Sequence, residues 1–119
     1  MAVKKFEDII AWQRAQDLAI EIYKTFKELK DYGFKDQICR ATISISNNIA
    51  EGFDRSSNAD FKRFLYISLA SSSEVKSMLY LAERLGYLKK EGAELLRENC
   101  SEISKIITGF IKSISKIKA

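Results

Sequence analysis

Residues 90–117, KEGAELLRENCSEISKIITGFIKSISKI, decide the fold. Leu96, Ile103, Phe110 and Ile117 stand seven apart, and Cys100, Ile107 and Ile114 fill the alternate positions. Alternating steps of three and four lay an apolar stripe along one side of a helix, which is the seam of a bundle. Such a stripe needs apolar partners of the same kind, and the chain upstream supplies three.

Working back, Phe61, Phe64, Leu65, Val75, Leu79 and Ala82 predict a helix capped by Asn58, with Asp60 favourable in its first turn, that stops at Gly86. Ile38, Ala41, Ile45 and Ile49 predict another over about 35–52, with Gly52 as its C-terminal cap. Trp12, Ala15, Ala19, Ile22 and Phe26 predict the first, over about 8–29, with the break at Gly33. Connections of about four to seven residues make sequential neighbours antiparallel. The expected fold is therefore all-α: an up-down-up-down antiparallel four-helix bundle, one domain over residues 1–119. Composition agrees, since 46% hydrophobic residues suffice for a core while the absence of proline and only five glycines disfavour a turn-rich β architecture. There is no apolar leader and no run of ~18 apolar residues, so a cytoplasmic protein without a membrane span is expected. Cys39 and Cys100 are read as reduced packing residues.

The chain has no histidine, which removes Ser-His and Cys-His nucleophile pairs, the commonest zinc sites and the Glu-x-x-His motif of di-iron bundles. Glu7, Asp8, Asp17 and Glu21 read as a solvated helix face rather than a magnesium site. Asp54, Ser56, Asn58 and Asp60 alternate like calcium ligands, but Ala59 and Leu65 occupy the positions that need Gly and Glu, so this is a capping loop. The glycines are too scattered for a phosphate loop. No enzyme activity, cofactor or metal is expected.

Three features point to binding. Gln37, Arg40, Ser44, Asn48 and Glu51 form a narrow row beside the apolar stripe of the second helix. With few lysines and glutamates, that row reads as partly buried structural contacts within the bundle or between subunits, the alternative being an exposed face of chance composition. On the third helix Tyr66, Ala70, Ser73, Ser77 and Tyr80, with Leu81, form a second stripe opposite the core, suited to an oligomer interface; scattered surface tyrosine is the plainer reading. Antiparallel topology also gathers Lys4, Lys5, Arg14, Arg55, Lys62, Arg63, Lys112, Lys116 and Lys118 at one pole, against Glu7, Asp8, Glu51, Asp54 and Asp60, an excess equal to the whole net charge of +4. Repeated around a ring, that pole becomes a basic rim for phosphates; in one monomer it is equally a solvated lysine surface.

The segments FEDIIAWQRA (6–15), QICRATISISNNIAEG (37–52), Phe61 to Leu65, Ala70 to Glu74 and LGYL (85–88) resemble the bundle proteins encoded in intervening sequences of bacterial 23S ribosomal RNA genes. More distantly they are similar to the accessory variability proteins of retroelements. The resemblance implies a homopentamer, with nucleic acid and a reverse transcriptase as partners in the retroelement branch. It implies no catalytic residue.

The resulting expectation is a non-catalytic homo-oligomer that binds RNA or DNA phosphates through Lys4, Lys5, Arg14, Arg55, Lys62, Arg63, Lys112 and Lys116. The alternative is a scaffold or assembly protein with a protein partner and no nucleic-acid affinity.

Overall fold

The structure, a computed structural model, describes residues 3–116. All regular elements among them are helical: a 3-10 turn at Phe6–Asp8, α1 (Ile10–Thr25), α2 (Tyr32–Phe53), α3 (Asn58–Arg84) and α4 (Lys90–Ser115). Ile117, expected to close the seam, and Lys118, expected at the basic pole, lie outside the described residues.

Capping chemistry sets the helix ends. Asp31 Oδ1 accepts the Phe34 amide at 3.1 Å and so starts α2, while Oδ2 accepts the Tyr87 hydroxyl at 2.6 Å, tying the α1–α2 connection to the α3–α4 connection. The Tyr87 bond first, and the Phe34 amide second, hold the Asp31 carboxyl below its ordinary range. The break expected at Gly33 therefore lies upstream of Asp31, and Gly33 sits within the first turn of α2. α1 ends at Thr25 rather than near Leu29, because Phe26 turns into the core and packs edge-on against Phe34 at 5.7 Å. Ser57, not Asn58, caps α3, its Oγ accepting the Asp60 amide at 3.1 Å. Gly86, at φ +78°, ends α3 in a Schellman motif: its amide bonds Glu83 and the Tyr87 amide bonds Ala82.

Gly52 is not a cap. It lies inside α2, where a Cβ would stand 2.6 Å from Phe64 Cβ and 3.0 Å from the Phe61 ring, so its bareness lets α2 meet α3. From there the two helices run in opposite directions past each other: Ser68 Oγ donates to the Ile45 carbonyl at 2.7 Å, Ser44 and Ser71 hydroxyls meet at 2.9 Å, and Gln37 donates to Glu74 at 3.3 Å. α3 and α4 are likewise antiparallel, with Lys62 beside Ser115, Ser72 beside Cys100 and Ser104, and Glu83 beside Arg97.

Nearly all the buried apolar side chains form one cluster. The α4 stripe runs through Ala93, Leu96, Cys100, Ile103 and Ile107, then steps to Ile111 and Ile114. It leaves the heptad there because 3.6 residues per turn drift against a repeat of seven, and Phe110 becomes a half-buried flank packed on Phe61 at 5.4 Å. The α1 stripe is Ala11, Ala15, Leu18 and Ile22, which leaves Trp12 and Ala19, expected inside, half-buried on its edge. Trp12 instead holds Phe6 edge-on at 5.3 Å.

Gly52→Ala should cost about 1–3 kcal/mol in urea unfolding, because the new methyl group has no room. Gly109→Ala, on an exposed stretch of α4 with open space around its Cβ, should instead gain up to about 1 kcal/mol. Equal effects at both positions would remove the close approach of α2 to α3 as the reason for Gly52.

Candidate nucleic-acid interface

Phe64 organises the basic end. The Arg55 guanidinium, from the α2–α3 connection, lies over its ring at 4.7 Å, and that of Arg63 at 4.8 Å. Attraction to the ring's π face holds two cations together that would otherwise repel. One carboxylate, Asp60, reaches Arg63, at 3.7 Å with both groups about half exposed, a geometry that adds little stability. Lys62 donates to Ser115 Oγ at 3.3 Å, and so joins the start of α3 to the last turn of α4, where Lys112 and Lys116 stand exposed. Those two lysines also offset the negative end of the α4 dipole.

Of the remaining expected cations, Lys4 and Lys5 are exposed in the segment whose Val3 and Phe6 pack on the core. Arg14 does not join the group. It is ion-paired with Glu102 across α1 and α4, away from the helix ends. At the other end of the bundle ion pairs engage the charges more fully, joining Arg40 to Asp36, Lys90 to Glu94 and Arg97 to Glu83.

The polar row of α2 is half-buried in its middle and exposed toward its ends. Asn48 Nδ2 donates to the Ser44 carbonyl at 2.8 Å and to its hydroxyl at 2.9 Å, beneath the Ser44–Ser71 contact. Arg40 pairs with Asp36 on its own helix at 2.8 Å and is 79% exposed, while Gln37 and Glu51 are also exposed, so within one chain only the middle of the row is partly buried. Gln37, though exposed, still reaches Glu74 of α3 at 3.3 Å.

On α3, Tyr66, Ala70, Ser73, Ser77 and Tyr80 are all exposed, joined by Ile67 and Leu81. The two tyrosines differ in surroundings. The Tyr80 ring carries the Arg97 guanidinium at 4.1 Å, and Arg97, only 11% exposed, also donates to Glu83 at 2.9 Å. Tyr66 opens onto a shallow, chiefly apolar groove along α3 lined by Ala59, Lys62, Arg63, Ile67 and Ala70. The Arg97 cluster carries no plain sequence signal, since Glu83 lies three residues before Gly86 and Arg97 eleven after it.

Among the described residues no group of three His, Cys, Asp or Glu is placed to hold a metal. Glu7, Asp8, Asp17 and Glu21 are exposed. Both cysteines are buried and unpaired, as read from the sequence. Burial pushes the Cys39 thiol up, and that of Cys100 up to about 12. Neither is a nucleophile near neutrality. Native protein should leave a thiol-disulfide reagent at pH 8 nearly unconsumed, with two thiols released in guanidinium; rapid reaction of the folded protein would contradict the burial.

Fold and site together define a small all-helical protein with a basic end and no assembled catalytic cluster among the described residues. Residues 7–109 match the 23S rRNA-intervening sequence protein family, and the chain belongs to it. A crystal structure of a protein with unknown function from the S23 ribosomal protein family of Bacteroides thetaiotaomicron VPI-5482 is similar, with TM-score 0.81, 31% identity, and coverage of 87% of this chain and 99% of that one. No curated protein matches the chain. No helix among the described residues is long and apolar enough to cross a membrane.

Proposed function

We propose that this chain is a non-catalytic cytoplasmic protein, an up-down-up-down bundle assembled as a homopentamer, that binds RNA or DNA phosphates through its basic end. The observation that carries this reading is the gathering of Arg55, Lys62, Arg63, Lys112 and Lys116 at one end of the bundle, where one ion pair, Arg63 to Asp60, engages them. Exposed cations around one rim attract a polyanion without selecting its sequence. Assembly is supported by the exposed stripe of α3. Its Ser73–Leu81 half has small residues that let another helix approach, flanked by tyrosine and leucine that contribute apolar area.

That exposed apolar stripe also favours a second reading, a scaffold for a protein partner with no nucleic-acid affinity. Light scattering behind a sizing column, with mixed-sequence RNA and DNA at two salt concentrations, separates the two. A complex of about five subunits that gains nucleic acid at low salt supports the binding reading. An oligomer indifferent to nucleic acid supports the scaffold, and a monomer removes both.

The double variants Arg55→Glu/Arg63→Glu and Lys112→Glu/Lys116→Glu should each weaken binding to all sequences alike and lower the slope of log K against log salt by about 2. An unchanged slope would move the site elsewhere. Leu81→Glu should reduce the assembled mass while leaving helicity intact, and wild-type mass in that variant would shift the interface off this half of α3.

A further inference from the structure

We propose that the open groove on α3 at the basic end stacks an unpaired nucleobase on Tyr66, so that the ligand is single-stranded rather than duplex nucleic acid. This rests on the basic-end reading and narrows it to one class of ligand. Ala59, Arg63, Tyr66 and Ala70 follow one another at steps of four, three and four, so they form one row along the surface of α3. Methyl-sized neighbours stand one turn beyond the ring and two turns before it, and the ring is 56% exposed within its groove. A flat ligand can therefore reach its face.

The cations stand where the backbone of such a ligand would run. Lys62 and Arg63 line the same groove, and Arg55 is held beside Arg63 by Phe64. A basic rim around one free aromatic face is what a single strand can use, because its bases are available to stack while its phosphates track the charge. A duplex offers phosphates but keeps its base faces inside the helical stack. Tyr80, at the far end of the same stripe, is nearly as exposed, but Arg97 already covers one face of its ring. The groove surface is chiefly apolar, but Lys62 and Arg63 line it and one ion pair, Arg63 to Asp60, engages them, so an occupant carrying phosphates matches it better than an apolar subunit face.

The test uses the full chain and fluorescence anisotropy with three labelled probes, oligo-dT and oligo-U of twelve nucleotides and a twelve-base-pair duplex. Tyr66→Ala should weaken single-strand binding roughly tenfold or more. Duplex affinity, the salt slope and the oligomer mass should stay as in wild type, since no phosphate contact is removed, and Tyr66→Phe should bind like wild type because it keeps the ring. Loss on oligo-U alone identifies RNA, loss on oligo-dT alone DNA, and loss on both a stacking site indifferent to the sugar; each supports the proposal. Equal losses on single strand and duplex, no loss at all, or a changed oligomer mass would overturn it. If Arg55→Glu/Arg63→Glu weakens every probe while Tyr66→Ala is silent, stacking fails and the basic end stands. If wild type binds no probe at low salt, both fall.

Discussion

α3 has to come close to α2 on one side and α4 on the other, because the positions it turns inward at its centre are serines. Ser68, Ser71 and Ser72 are buried, and their hydroxyls find partners across the helix boundaries: the Ile45 carbonyl, Ser44, and Cys100 with Ser104. A helical carbonyl already engaged by its own helix has a second lone pair, and these serines use it. Short side chains allow the approach, and burial then makes the hydrogen bonds obligatory, since an orphaned buried hydroxyl costs about 1–3 kcal/mol. Apolar stripes alone would tolerate a shift of one turn along the seam. The serines do not, because their acceptors lie at fixed positions, so polarity sets the register that hydrophobic burial leaves loose.

Register in turn builds the basic end. With Ser68 fixed against Ile45, Gly52 falls opposite Phe61 and Phe64, and the short connection between them places Arg55 over the same ring as Arg63. With Ser72 fixed against Cys100, Lys62 reaches Ser115 and the lysines of the last α4 turn. The cations are thus held by packing decided in the middle of the bundle, two to four turns away. None is buried, so each is individually weak and screened within about 8–10 Å at physiological salt.

How much of this was legible in the sequence depended on which force did the placing. Four helices and most core positions followed from periodicity, because burial of large apolar side chains at 3.6-residue spacing leaves a direct trace. Helix ends were less legible: Gly33 and Asn58 looked like punctuation, but Asp31 and Ser57 had the acceptor oxygens at the right distance from the first free amides. On α1, two alanines and two larger apolar residues compete for the inner face, so periodicity points to Trp12 and Ala19 where Ala11 and Leu18 are buried, while Ala15, Ile22 and Phe26 fall inside as expected. The buried serines were silent to any hydrophobic pattern. Arg14 was assigned to the basic end by its distance from the start of α1, and nothing in the sequence revealed Glu102 across the gap.

The stripe on α3 reads as one feature in sequence and as two in space, and the difference is electrostatic. Its C-terminal half is small, polar and aromatic, with the Arg97 guanidinium paired to Glu83 and laid on Tyr80, and with Arg84 at its end, so covering this half with another subunit strands less charge than covering the other. Its N-terminal half is an apolar strip edged by Lys62 and Arg63, with one ion pair, Arg63 to Asp60, engaging them, so it favours an anionic partner in water. One helix can then serve assembly and ligand at once, with the register of its serines fixing the distance between the two. In a closed ring that arrangement would repeat each basic groove around a common rim. Grooves that are weak singly would engage one long polyanion together, each bound segment raising the effective concentration of the next. The affinity of such an assembly comes from repetition, which is why a chain with a net charge of only +4 need not be more basic to hold nucleic acid.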